Sequence, residues 1–372
     1  MNQFLDLFLR RAPGRAKRWR VIRGSRASRG VEPWWAGGVG RTAGRPGPAK
    51  QNNAPCPSAR EGLGSPVAFS EGRRTAKGGF VSLLFALLAN TAQAGVLAID
   101  DAGREIKLEI PATRIISLAP HITELLYAIG AGSAVVGTVA FSDYPSEAQQ
   151  IPQIGSGAGI DSERIVALQP DLVVAWKSGN SSIQVSRLQK LGLVVFITEP
   201  RRIVDVASLM ERLGRLTGKE KMARQLAAGF REKHKQLRQK FSERITIPVF
   251  FQILDTSLMT VNGRHLISDV ITLCGGRNIF ADLPILAPRV DLESVVAKNP
   301  SVILISGYPA MWPEWRDRWN TWPKLSAIAG ENLFFIPPEL IFRHSPRILL
   351  GAEKICADLE LSRVRAVTST NR

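Results

Sequence analysis

From residue 96 onward, apolar positions fall into short runs separated by polar or glycine-containing turns. "RIISLA", "AVVGTVA", "LVVAW", "LVVFIT", "IPVFFQI", "VILIS" and "NLFFIP" are nearly continuous apolar runs. Runs that lack polar alternation predict parallel strands covered on both faces. Between them lie segments with helical spacing: "ITELLYAIG", ended by Gly130; "SSIQVSRLQKLG"; "HLISDVITLCGG", stopped by Gly275-Gly276; and "PRILLGAEKICADLE". Strand–helix alternation of this kind predicts an α/β fold built on parallel sheets. A hairpin over 95–112 ("VLAI", the turn "DDAG", then "EIKLEI") precedes the first unit.

One phrase occurs twice. "DSERIVALQPDLVVAW" at 161–176 and "DLESVVAKNPSVILIS" at 291–306 share Asp-x-Glu, small apolar residues, a proline and an apolar run. Asp161 and Asp291 suit helix N-caps, and Glu163 and Glu293 sit in first turns, where negative charge is favoured. Pro170 and Pro300 disfavour helical geometry just before them and mark the exits. The repeat predicts two small α/β lobes, over 113–216 and 245–361, with a tail at 362–372. Between them, Met222, Leu226, Phe230, Leu237 and Phe241 recur at helical spacing in a charged background. This predicts one long connecting helix within 217–244, a rod of ~36 Å and a stiff joint.

Charge changes the picture only at the start of the chain. The net charge is +17, but residues 1–78 hold 16 Lys and Arg against 4 Asp and Glu, and 79–372 hold 33 against 28. The basic excess therefore lies in the first fifth, and no nucleic-acid partner is expected of the main body. Residues 1–72 are rich in Arg, Gly and Pro without any period, and are expected to be disordered. "GRRTAKGGFVSLLFALLANTAQA" then has the basic, apolar and small-residue order of a secretory signal over 73–94, cleaved after Ala94. A start assigned too far upstream accounts for the prefix. The apolar core is shorter than the ~20 residues that a membrane span needs.

Catalytic signatures are lacking. No GxSxG elbow, P-loop or HExxH helix occurs, and Asp143 and Tyr144 have no nucleophile–base pair beside them. A metal-cluster enzyme would need more cysteine ligands than Cys274 and Cys356, the only two after the signal. No enzyme, catalytic residue, resident cofactor or structural metal is expected. Trp312, Trp315 and Trp319 share one helical face, a stripe better read as core packing than as a ligand wall.

The motifs "FSDYP", "ERIVALQPDLVVAW", "LCGGRNIF" and "SPRILLGAEKIC", within about 113–360, resemble those of a known family. It comprises the periplasmic binding proteins of ABC importers for cobalamin, haem and ferric siderophores, and the similarity is greatest to its cobalamin-binding members. The resemblance implies a monomeric periplasmic carrier with a ligand cleft between two lobes. It would deliver a corrinoid to an ABC importer by docking Glu163 and Glu293 against arginines of the membrane subunits. It places Pro120, His121, Phe141 and Trp176 in the cleft from the first lobe, and Met259, Glu339 and Arg343 from the second. This chain departs from that pattern: Phe141 replaces a tyrosine, Gly157 and Ala287 replace tryptophans, and Met259 replaces a phenylalanine. The ligand cage is therefore altered. An even cysteine pair in an oxidising compartment favours a disulfide, which the resemblance implies for Cys274 and Cys356; two separate thiols are the alternative. Haem or a ferric siderophore is the alternative ligand, with His121, His265, His344 and Tyr308 as candidate iron ligands.

Overall fold

A computed structural model describes residues 95–156, 159–241, 243–253 and 258–370. The basic prefix, the signal with its cleavage after Ala94, and Gly157 lie outside the described residues. The hairpin forms as expected from β1 (Val96–Ile99) and β2 (Glu105–Leu108), which pair antiparallel. The first lobe then runs β3 (Ile115–Ser117), α1 (Pro120–Ala128) and β4 (Val135–Gly137). A minimal antiparallel pair follows, β5 (Gly155–Ser156) and β6 (Gly159–Ile160). The lobe continues through α2 (Ser162–Ala167), β7 (Leu172–Trp176), α3 (Ser182–Lys190) and β8 (Val195–Thr198).

Two helices follow, α4 (Ile203–Leu216) and α5 (Glu220–Phe241). The second lobe comprises β9 (Ile247–Ile253), α6 (Leu266–Leu273), β10 (Gly276–Asn278), α7 (Leu292–Lys298) and β11 (Val302–Ser306). It closes with α8 (Trp312–Asn320), α9 (Ser326–Ala329), β12 (Leu333–Phe335), α10 (Pro338–Ile341) and α11 (Ile348–Thr370). Each lobe holds a four-stranded, wholly parallel sheet, in the orders β4-β3-β7-β8 and β10-β9-β11-β12.

The continuous apolar runs have the expected cause. Ile115, Leu172 and Val174 face one buried cluster, while Ile116, Val173 and Ala175 face another on the opposite side of the sheet. The repeated phrase folds alike in both copies. The Asp161 carboxylate accepts from Arg164 N at 3.0 Å, and Asp291 accepts from Ser294 N at 2.6 Å. Gln169 and Asn299, just before the two prolines, end their helices in the left-handed region (φ 45° and 39°) rather than in extended geometry.

The joint between the lobes differs from the single helix expected. Helix α4, where no element was expected, carries Ile203, Val206, Leu209, Met210, Leu213 and Leu216 into the core and packs along α5. Its start is tied to the second lobe, with Ile203 N donating to Asp269 Oδ2 at 2.8 Å, and it also packs on α1 of the first. One apolar cluster therefore runs unbroken from Ile115 through Leu209 and Phe230 to Val249. On α5 the buried stripe is Ala223, Ala227, Phe230, Leu237 and Phe241, whereas Met222 is 45 % exposed. The last helix does not give way to a tail at 362. It continues to Thr370, and Arg363 ties it back by donating to the carbonyls of Ile245, Cys274 and Gly275 at 3.0, 2.9 and 3.0 Å. Cys274 and Cys356 form a disulfide (S–S 2.05 Å) that joins the end of α6 to α11.

Candidate functional site

The carboxyl ends of β3, β7 and β11 converge on one cleft of about 310 Å³, the position where open parallel sheets present ligands. From the first lobe it is lined by Pro120 and His121 at the start of α1, by Phe141 and Asp143 in the loop after β4, and by Trp176 at the end of β7. The second lobe contributes Gly307-Tyr308-Pro309 after β11, and Pro338, Glu339, Phe342 and Arg343 in and after α10.

Local sequence explains how several of these side chains are held. Trp176 N donates to Asn180 Oδ1 at 2.7 Å, and Asn180 Nδ2 donates to Leu118 O at 2.9 Å, so one asparagine ties two strand ends together. A side chain at Gly179 would collide with the Trp176 indole, so glycine there lets the ring lie against the backbone. Phe141 adopts the left-handed region (φ 68°) and is 47 % exposed, unusual for a bulky residue and consistent with a strained functional position.

Arg343 spans the cleft. Its Nη2 donates to Asp143 Oδ1 at 2.5 Å and to Phe141 O at 3.2 Å. Beneath it, Glu124 of α1 is fully buried and takes a two-pronged bond from Arg347 of the other lobe, with Nε–Oε1 and Nη2–Oε2 both 2.7 Å. Ser345 Oγ donates to the same carboxylate at 2.5 Å. The Arg347 guanidinium also lies over the Tyr144 ring at 3.8 Å. This polar floor joins the two lobes directly.

Six of the seven expected cleft residues, Pro120, His121, Phe141, Trp176, Glu339 and Arg343, line this cleft. Met259 does not. It is 7 % exposed and packs in the apolar core, bridging β9 and Arg289 through its backbone. Ala287 packs against that core as well. Trp315 and Trp319 are core residues of the second lobe, and Trp319 Nε1 donates to Gln252 Oε1 at 2.7 Å. Glu163 and Glu293 are exposed, one on each lobe. Glu124, Ser345 and Arg347 carry no local signal of their roles, because their partners lie more than 220 positions away in sequence.

The three histidines that looked scattered in sequence are packed together. His344 lies 5.3 Å from His121 and 5.7 Å from His265 between ring centroids, and Trp176 lies 5.0 Å from His121 and 5.4 Å from His344. Burial holds all three imidazoles below their usual range: His265 falls to about 3, His344 to about 4, and His121 well below 6.5. The rings are therefore neutral at physiological pH. His265 Nδ1 caps α6 by accepting from Ile267 N at 3.1 Å.

Comparison with known proteins gives concordant matches. The family model described as "Periplasmic binding protein" matches residues 115–372. A vitamin B12-binding protein of Vibrio cholerae is 32% identical over 256 residues, 68% of this chain and 91% of that protein. One from Yersinia pestis is 36% identical over 248 residues, 67% of this chain and 86% of its own length. The crystal structure of the periplasmic vitamin B12 binding protein BtuF of Vibrio cholerae superposes with a TM-score of 0.64 at 32% identity, covering 68% of this chain and 98% of that one. The chain belongs to the periplasmic binding protein family.

Proposed function

We propose that this member of the periplasmic binding protein family captures cobalamin or a closely related corrinoid in the periplasm and delivers it, chemically unchanged, to an ABC importer. The observation that carries this reading is the charge of the cleft. Arg343 is the one cationic side chain among the described lining residues, and it is already held by Asp143 at 2.5 Å. Glu339 lines the same space. A ligand with carboxylate arms, such as haem, meets no uncommitted cation there and faces an extra carboxylate. A corrin ring edged with neutral amides meets apolar and aromatic walls with a few fixed polar groups, the usual composition of a small-molecule cleft. The names of the relatives support the same ligand. Calorimetric titration with cyanocobalamin, cobinamide, haemin and a ferric siderophore tests it: the corrinoids should saturate one-to-one. Saturation by haemin alone would overturn the ligand while leaving the fold intact.

Delivery would use Glu163 and Glu293, exposed at equivalent positions on the two lobes. Exposed charges contribute little to folding, so their loss should leave stability nearly unchanged. Reversing a charge against a transporter arginine replaces attraction by repulsion, at a cost of several kcal/mol. Glu163→Arg and Glu293→Arg are expected to keep corrinoid affinity and weaken importer binding, roughly additively because the sites lie apart. Normal capture of the double variant by the reconstituted importer would show that each glutamate serves only its own helix.

A further inference from the structure

Three rings in mutual contact at the cleft each carry a buried side-chain nitrogen without a hydrogen-bond partner among the described residues: His121 Nε2, Trp176 Nε1 and His344 Nδ1. Buried polar atoms are ordinarily satisfied, and an orphaned one costs stability. Seven such side-chain atoms occur among the described residues, and these three belong to rings in mutual contact, with centroids 5.0–5.4 Å apart. His121 and Trp176 both line the cleft, and His344 stands directly behind them. Two of the rings belong to the first lobe and one to the second. His265 is not part of this set, since its Nδ1 is committed to the cap of α6.

We infer that His121, Trp176 and His344 form a polar subsite at the cleft floor that takes one primary carboxamide arm of the ligand. This rests on the corrinoid reading above and narrows it. The match is one of donors and acceptors. An indole N–H can only donate; with His121 as the Nδ1–H tautomer and His344 as the Nε2–H tautomer, both orphaned nitrogens accept. A primary amide offers the complement, an oxygen for Trp176 Nε1 and two N–H groups for His121 Nε2 and His344 Nδ1. A carboxylate in the same place would be a desolvated charge, because Arg343 is committed to Asp143 and the Arg347 guanidinium to Glu124. All three nitrogens are buried. The arm therefore enters by displacing the edge of Trp176, which is only half-buried at the strand end.

The subsite predicts opposite signs for binding and stability. In His121→Leu/His344→Leu the orphaned nitrogens are replaced by apolar groups of similar size, so thermal stability should hold or rise. Cyanocobalamin binding should weaken by about ten- to a hundred-fold, as for the loss of two hydrogen bonds. A chemical arm uses the isomeric cyanocobalamin monocarboxylic acids, each with one peripheral amide hydrolysed. The unaltered protein should reject one isomer far more strongly than the others, and the double variant should lose that discrimination. Unchanged cyanocobalamin affinity in the double variant overturns the subsite, leaving three nitrogens that only water or packing concerns. Parallel loss of affinity and stability also overturns it, as a packing role. If neither cyanocobalamin nor cobinamide binds the unaltered protein, the corrinoid reading fails and the subsite with it.

Discussion

Replacing Glu124 by alanine is expected to lower the unfolding free energy by about 3–5 kcal/mol, the usual result of removing one partner from a buried ion pair. Glu124 is fully buried, and Arg347, its two-pronged partner, is 9 % exposed. Without the carboxylate, the Arg347 guanidinium keeps its charge but loses both 2.7 Å bonds, and Ser345 Oγ loses its acceptor. Arg343, 3.7 Å from the same carboxylate, would then adjoin Arg347 without the intervening negative charge.

The effect should also reach function, because Glu124 belongs to one lobe and Arg347 to the other. Losing their bond removes a direct strut beneath the cleft, so ligand affinity should fall with stability. Replacing both partners by apolar residues, as in Glu124→Met/Arg347→Leu, should recover much of the stability, since no charge is then left unpaired. Urea unfolding of Glu124→Met, Arg347→Leu and the double variant gives the coupling energy. A loss under about 1 kcal/mol for Glu124→Ala would show that water reaches Arg347 and that the strut is weak.

The second large effect concerns acid. His265 and His344, held at about 3 and about 4 by burial, take up protons in the unfolded chain near 6.5 but not in the folded one. The unfolded state therefore binds more protons below 6.5, and stability is lost as pH falls from there toward the folded values. Between pH 7 and pH 4.5 each should remove about 2–3 kcal/mol, and His121 acts in the same direction. That sum is a large part of the total stability of an ordinary domain, 5–15 kcal/mol.

Few carboxylates act inside the window: Glu211, held below 4.5 by its hydrogen bonds from Arg231, begins to lose its contribution only at the lower edge, and Asp358, raised by burial, works against the loss. Asp100, whose burial is outweighed by its bonds from Arg104 and neighbouring backbone, lies below 3.8, so its contribution is lost only at lower pH. Glu199, raised by burial, works in the opposite direction and offsets a little of the loss. His265→Ser keeps a capping oxygen for α6, and with His344→Leu it should flatten the dependence between pH 7 and pH 4.5. Denaturant titrations at several pH values test this. A wild-type stability that is level across the window would mean that the imidazoles are already hydrated in the folded protein.

Much of the fold was legible because its determinants are local. Asp161 and Asp291 cap their helices through the amide three residues on, and the apolar runs at 172–176 and 302–306, lacking polar alternation, were expected to be doubly covered strands and are. Helix α4 was legible in principle: Ile203, Val206, Met210 and Leu213 carry the helical period, in a stretch where no expected element competed. The cleft was partly legible as well. Trp176 ends a strand, and strand ends are where such sheets hold ligands. Met259 differs: the resemblance placed it in the cleft, and here its side chain joins the apolar core.

By itself, then, the amino-acid sequence determined most of the elements, their parallel pairing, the two α/β units and the strand-end aromatic, but not helix α4. Each follows from period, capping or covering within a few residues along the chain. Tertiary structure alone decided which polar groups share a buried site. Glu124 finds Arg347 across 223 positions, and His121 meets His344 although nothing in their spacing suggests it. Residues this far apart in sequence are brought together only when helices α4 and α5 pack into one core with both lobes. The chemistry at the cleft floor is a product of that packing.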